Sequence, residues 1–414
     1  MADLLSVEQA LDHILARAVP LPAEQVPLAA AAGRVLAQDA AADTDLPPFA
    51  TSSMDGYAVR AADVAAAPVR LRVTQDILAG AAPHSAVGPG EAARIMTGAP
   101  LPPGADAVVP VEQTDAHWTH GDTAALPPEI GIHQPAAPGA NVRRPGEDVR
   151  AGQVVLRAGR RLRPPDIGLL AALGWAQVPV ARRPRVAVVS TGDELLPVEA
   201  PLRPGAIRDS NSYTIAALVE SWGGAALRLP VARDTLDSVR AVFAQALDLA
   251  PDLVISTAGV SVGAADVVRL ALAELGEVSI WRVNMRPGKP LTFGHLRGVP
   301  FFGLPGNPVS AAVTFDVFVR PFLLRQQRQP DTAAVAAAVI AEDLRSDGRR
   351  SYLRVTLSRE GGQLVARTTG TQSSGALLSL VLADGLLIVP ENTTFVPAGS
   401  VLPVRLLGGS ETAI

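Results

Sequence analysis

From Arg185 onward the chain alternates short, wholly apolar runs with stretches of helical period, and this alternation limits the fold more than any other feature. The runs are Val186-Ala187-Val188-Val189, Leu253-Val254-Ile255 and Val299-Pro300-Phe301-Phe302. A run with no polar residue on either face reads as a strand buried on both sides, as in a parallel sheet. Between the runs, Thr235 to Leu249 carries Leu236, Val239, Val242, Phe243, Ala246 and Leu247 at helical spacing, and Val267 to Leu275 stops at Gly276. Strand and helix in alternation predict βαβ units and a doubly wound α/β domain whose ligands sit at the C-terminal ends of its strands.

The rest of the chain has a different texture. At 414 residues it exceeds one core, and roughly 150 residues per domain predicts about three units. Ser6-Val7-Glu8-Gln9 reads as a capping box opening a helix with Leu11, Ile14, Leu15 and Ala18 on one face. From Leu46 to Arg150, β-like runs such as Val69–Val73 and Ala107–Val111 are separated by Gly and Pro clusters, predicting a small β-rich domain. The stretch 151–183, with helix-like Asp166–Leu173, is expected to return and pack against the first helix. Beyond Pro330 the runs Tyr352–Leu357, Leu386–Val389 and Val401–Val404 predict an all-β tail.

Composition removes whole classes of chemistry. Without cysteine, thiolate nucleophiles, iron–sulfur clusters and cysteine-zinc sites are excluded, so the chemistry rests on oxygen and nitrogen. A net charge of −4 disfavours a general nucleic-acid binder, so any anion site must be local. No apolar run is long enough to span a membrane and the first residues lack a basic leader, predicting a soluble, cytoplasmic protein. Of 36 Lys and Arg residues only Lys289 is lysine, which either marks a position where a compact ammonium is not interchangeable with guanidinium or is a chance survivor of the arginine bias.

Several loops could carry chemistry. Ser190-Thr191-Gly192-Asp193-Glu194-Leu195 follows the first run and offers hydroxyls, backbone amides and carboxylates, oxygen donors that suit Mg²⁺ as well as an ordinary acidic turn. Ser256 to Asp266 is rich in small residues that let backbone N–H groups approach a phosphate, although it is neither a Walker loop nor G-x-G-x-x-G. Arg282, Arg286 and Lys289 crowd three cations beside a Pro-Gly turn and suggest a polyanion site. Asn307-Pro308 reads as N-cap and N1 of a helix with Val309, Val313 and Val317 on one face. The six histidines show no metal-ligand pairing such as H-x-x-x-H.

Met54-Asp55-Gly56-Tyr57-Ala58, Arg94-Ile95-Met96-Thr97-Gly98-Ala99, Arg144-Pro145-Gly146-Glu147-Asp148, Ser190 to Leu195, Gly259-Val260-Ser261-Val262-Gly263 and Pro305-Gly306-Asn307-Pro308-Val309-Ser310 together resemble the molybdopterin molybdenumtransferase family. These MoeA-type enzymes are related to the gephyrin E domain, and the order and spacing of the motifs match over nearly the whole chain. The resemblance implies an elongated homodimer of four-domain subunits: a segmented linker domain (1–45 and 151–183), a β-rich domain (46–150), an α/β molybdopterin-binding domain (184–328) and a C-terminal β-barrel-like domain (329–414). It implies a Mg²⁺-dependent transfer in which adenylylated molybdopterin and molybdate give molybdenum cofactor and AMP, in a cleft between the α/β domain of one subunit and the β-rich domain of the other. Transient contact with the upstream adenylyltransferase and downstream molybdoenzymes follows from the same resemblance.

Carried over by position, Asp55, Glu194, Asp234 and Asp266 are the catalytic candidates, with Glu194 and Asp266 as metal ligands. Thr97, Arg143, Asp148, Ser190, Thr191, Gly192, Gly259, Ser261, Gly263, Arg282, Arg286, Lys289, Pro305, Asn307 and Ser374 are the substrate-binding candidates. The family pattern has lysine where Arg282 and Arg286 stand, which keeps the charge and changes the hydrogen-bond geometry. It has glycine at Ala258. The α/β domain alone also resembles the sister adenylyltransferase, the gephyrin relationship admits a scaffold role, and tungstate is nearly isosteric with molybdate.

Overall fold

A computed structural model describes residues 4–116, 125–257, 265–331 and 333–408. The capping box forms: Ser6 Oγ accepts from the Gln9 N–H at 3.1 Å, and the Ser6 N–H donates to Gln9 Oε1 at 2.9 Å. It opens α1 (Val7–Leu15), whose buried residues are Val7, Ala10 and Ile14. Ala18 is also buried, whereas Leu11 and Leu15 are only half-buried, so the covered face is rotated from the expected one. The partner differs too. α1 packs into the α/β core beside Val186, Phe293 and Phe322, while the returning segment pairs Gln177–Ala181 antiparallel with Ala23–Pro27 and Val154–Leu156 with Ala40–Ala41.

The α/β domain is a six-stranded sheet of β1 (Arg185–Ser190), β2 (Ala225–Arg228), β3 (Leu253–Thr257), β4 (Gly276–Arg282), β5 (Pro290–Leu296) and β6 (Val299–Leu304). Their order is β2-β1-β3-β6-β5-β4. The first four are parallel, and β5 and β4 close the edge antiparallel. Alternate residues of β1 face opposite cores. Val186 and Val188 join α1 and α2 (Asn211–Ser221), whereas Ala187 and Val189 join α3 (Leu236–Asp248) and α4 (Ala265–Leu275). Burial on both faces is why these runs contain no polar residue. Gly276 begins β4 directly after α4, and a Cβ there would lie 2.0 Å from the His295 carbonyl oxygen, so close strand approach requires the glycine.

The helix after Asn307 is not uniform: α5 (Pro308–Thr314) passes through a π turn over Phe315–Val319 into α6 (Arg320–Gln326). Val309, Val313 and Val317 are all buried. The β-rich domain holds a five-stranded sheet ordered Ala107–Pro110, Gly56–Val59, Glu91–Ile95, Val69–Ile77 and Glu129–Ile132.

In the C-terminal region, Arg350–Glu360, Gln363–Thr368, Val335–Ile340, Val401–Leu406 and Gly385–Val389 pair in turn, and the last returns to the first to close a barrel. Met285–Arg286 of the α/β domain adds in parallel to Arg350–Ser351, stitching the basic turn onto the barrel. Among the described residues no helix is long and apolar enough to cross a membrane.

Candidate functional site

The parallel strands deliver their polar ends to one side of the sheet. Ser190 Oγ and Thr257 Oγ1 are 2.9 Å apart across β1 and β3, and the Gly192 N–H donates to the Ala232 carbonyl at 3.1 Å. Gly192 has φ +151, and a Cβ there would lie 2.6 Å from Glu194 Oε2, so the loop turns tightly beneath that exposed carboxylate. Asp193 and Asp234 are reciprocally bound, each backbone N–H donating to the other's carboxylate at 3.3 Å. Thr235 caps α3, its hydroxyl accepting from the Ser238 N–H, which leaves Asp234 facing the Asp193–Glu194 loop.

Pro305 and Asn307 stand at the end of β6. Asn307 was expected to cap α5, but its side chain makes no cap bond. Instead its Nδ2 donates to Ser374 Oγ at 3.0 Å, and the Val309 N–H donates to the Ser374 carbonyl at 3.1 Å. The strand-end loop is therefore tied to the barrel.

Beside that tie lies a cavity of about 560 Å³ where Arg286 and Lys289 meet Ser374, Arg345, Arg349 and Arg354. Gly288 makes the turn possible: its φ is +102, and a Cβ would lie 2.5 Å from Thr314 Oγ1. Arg354 is 1% exposed. It donates to the carbonyls of Thr371 and Ser373 at 3.3 and 3.1 Å and to Ser379 Oγ at 3.1 Å, fixing the loop that presents Ser374. Burial, followed by the charge of Arg286, lowers its pKa. Asp347 partly offsets the cations through Arg349 and, at 3.6 Å, Arg286, and the hydrogen bond from Arg349 leads the causes that lower its pKa. Lys289 is exposed and makes no ion pair among the described residues. Arg282, grouped with Arg286 and Lys289 by sequence, does not line this cavity; it ends β4, and its carbonyl accepts from the Leu5 N–H.

The β-rich candidates form their own group. Asp55 Oδ1 accepts from both the N–H and the hydroxyl of Thr97 at 2.7 Å. Arg143 pairs in register with Thr51 and lies 3.5 Å from Glu147. Asp148 lines a separate depression of about 360 Å³ with Arg144 and Arg150. Gly259, Ser261 and Gly263 lie outside the described residues, and Asp266 falls in the first turn of α4 with its side chain outside the description.

Arg345, Arg349 and Arg354 escaped the sequence reading. Their signal was the density of arginine around Asp347-Gly348, the same kind of cue that marked the 282–289 turn. Among the described residues no three His, Asp or Glu side chains form a cluster that could hold a metal ion. Asp193, Glu194 and Asp234 nonetheless present carboxylates with access to solvent. Mg²⁺ commonly takes one or two carboxylates with waters and substrate phosphates, so this donor set fits an ion arriving with a phosphorylated substrate.

Three family models match the chain in sequence: the MoeA N-terminal region (domains I and II) over residues 5–174, a probable molybdopterin-binding domain over 187–325, and the MoeA C-terminal region (domain IV) over 337–407. Molybdopterin molybdenumtransferase 2 of Mycobacterium tuberculosis is 42% identical over 392 residues, covering 92% of this chain and 94% of that one. The molybdopterin molybdenumtransferase of Bacillus subtilis is 37% identical over 388 residues, covering 91% and 89%. A crystal structure of a MoeA protein from Pyrococcus horikoshii superposes with a TM-score of 0.84 at 35% identity, covering 98% of this chain and all of that one.

Proposed function

Because the chain belongs to the MoeA-type molybdopterin molybdenumtransferase family, we propose that it inserts molybdenum from molybdate into adenylylated molybdopterin and releases AMP. The observation that carries this reading is the cavity shared by the α/β domain and the barrel, where Arg286, Lys289, Arg345 and Arg349 line the same space as Ser374 and Arg354 holds the Ser374 loop in place. A doubly charged tetrahedral oxyanion suits such a site, because guanidinium groups donate in pairs and the ammonium acts as a point charge.

The strand-end loops take the other substrate. Ser190, Thr191 and Gly192, with Gly259, Ser261 and Gly263, are the loop residues we assign to its pyrophosphate, and Pro305 and Asn307 stand at the end of β6 on the same side of the sheet, Asn307 bonded to Ser374 of the oxyanion cavity. Arg282 adds positive charge near the exit of β4. Glu194 and Asp266 would hold Mg²⁺, which when bound supplies charge neutralisation at the phosphoanhydride. Asp234 positions the Asp193–Glu194 loop through the reciprocal amide bonds. The sulfurs that receive molybdenum belong to the substrate, in keeping with a chain that has no cysteine.

Asp55, Thr97, Arg143 and Asp148 complete the cleft from the β-rich domain of a second subunit, which makes the working unit a homodimer. Asp55 is held by Thr97 and is thereby oriented before substrate arrives. The test is molybdate-dependent AMP release from adenylylated molybdopterin, with tungstate in parallel. Release with molybdate is expected, and its absence with both oxyanions overturns the proposal. Glu194→Ala is expected to reduce release at least about 100-fold, the scale of losing one preorganised electrostatic group.

A further inference from the structure

A second cavity, of about 460 Å³, lies at the antiparallel end of the α/β sheet, under the C-terminal end of α1. β5 runs antiparallel to β6, so the β5–β6 turn that borders this cavity is at the sheet end opposite Ser190, Thr257 and Pro305. The proposed transfer reaction uses none of its residues.

Its floor is aromatic. Trp281 and Phe293 have ring centroids 5.6 Å apart, and His13 and His295 extend the row at 6.0 Å from Trp281 and 6.2 Å from Phe293. Phe293 is 2% exposed and backs the half-buried Trp281 ring, whose face accepts a planar heterocycle with little regard to its identity. Arg17 and Arg297 stand at the rim, and neither makes an ion pair among the described residues. Arg17, just past the end of α1, is bound only weakly, its Nη1 donating to the His13 carbonyl at 3.4 Å. Between the arginines and the rings are the exposed carboxylate of Glu277, paired in register with His295, and the hydroxyl of Ser279.

Arg297 carries a second, independent mark. It occupies the two-residue β5–β6 turn with φ +46, followed by Gly298 at φ +84. Both central positions of such a turn favour Asn, Asp or Gly, and a long side chain with positive φ costs free energy. A guanidinium held there at the mouth of an aromatic cavity points to a use for the side chain.

We propose that this cavity binds a mononucleotide, its base on Trp281, its ribose hydroxyls on Glu277 and Ser279, and its phosphate between Arg17 and Arg297. Carboxylate recognition of ribose hydroxyls and arginine recognition of phosphate are established chemical pairings. A volume near 460 Å³ lies within the range of small-ligand sites.

The test is calorimetric titration of the full chain with AMP and GMP, and with adenosine and inorganic phosphate as the two halves of the ligand. AMP or GMP is expected to bind at this site at least tenfold more tightly than either half. Arg17→Ala combined with Arg297→Asn is expected to weaken it at least tenfold, asparagine being chosen because it tolerates the left-handed turn. Trp281→Phe should remove the fluorescence quench that accompanies binding. Glu194→Ala, in the strand-end loops assigned to the adenylylated substrate, should leave this site's affinity unchanged, which separates the result from the transferase reading. No binding of AMP or GMP up to millimolar concentration, a nucleotide-to-half ratio below tenfold, or binding indifferent to the arginine pair each overturns the proposal. Circular dichroism and the thermal midpoint establish that the variants are folded.

Discussion

Asn307 shows how one residue type can serve two roles that its sequence does not separate. Asn before Pro is a sound helix start, and the Asn307 backbone does occupy that position, accepting from the Ala311 N–H at 2.9 Å. Its side chain goes to Ser374 instead. Asn307→Ala should therefore cost little helix stability, and a double-mutant cycle with Ser374→Ala should recover a coupling of about 0.5–1.5 kcal/mol, the worth of a single hydrogen bond. Urea unfolding of the four proteins gives the coupling, and a raised KM for molybdate in both single variants would tie the bond to the site. His295 makes a different prediction. Burial first, then the charge of Arg17, lowers its pKa against the opposing pull of Glu277. The unfolded chain then binds the proton more tightly than the folded one, so stability is whole above the ordinary value of 6.5 and declines as pH falls through it toward the folded value. The urea midpoint, followed downward from neutrality, should fall less steeply in His295→Gln than in the parent.

At the scale of elements, the helix from Pro308 to Gln326 carries the largest local commitment. The π turn holds Asp316, which meets Arg320 at 3.0 Å and Arg405 of the barrel, while Arg320 also reaches Asp331 at 3.0 Å. Arg320 is 2% exposed and lies over the Trp222 ring at 4.8 Å. Breaking a buried ion pair by removing one partner leaves an uncompensated charge, so Asp316→Ala should destabilise by about 3–5 kcal/mol. Glu129→Ala, which removes a partner of the exposed Arg70, should cost under about 1 kcal/mol. Urea unfolding of the two variants makes the comparison. The sequence announced this helix through its cap position and its valines, because burial of one face needs only the apolar spacing. The π turn was hidden, since all three valines are buried despite the inserted register and apolar spacing alone does not record which carbonyl each N–H finds. The sheet strands were legible for a stronger reason: burial on both faces leaves no room for a polar residue. The rotation of α1 and its choice of the α/β core were not, because a capping box fixes where a helix begins and says nothing of what covers it.

Across the whole molecule, the site could be read from sequence loop by loop but not as an assembly. Glu194 and Asn307 stood out because polar and glycine-rich segments follow apolar strands, and Lys289 because it is the one lysine of the chain and sits in a basic Pro-Gly turn. Arg345, Arg349 and Arg354 did not, because their place beside Lys289 depends on Met285–Arg286 adding to the barrel strand at Arg350–Ser351, a pairing without local signature. The same reasoning extends beyond one chain. Asp55 is secured by Thr97 inside the β-rich domain, whereas Glu194 and Asp234 sit at the α/β strand ends. If each cleft draws Asp55 from one subunit and Glu194 from the other, Asp55→Ala and Glu194→Ala proteins should each be inactive alone. After unfolding and refolding together in equal amounts, about half of the two-fold dimers are mixed, and each mixed dimer holds one cleft with both carboxylates intact. AMP release should then recover to about a quarter of the parent activity. A cleft completed within a single chain predicts no recovery, because every chain in the mixture lacks one of the two carboxylates; the assay therefore decides whether the second subunit is part of the catalytic unit.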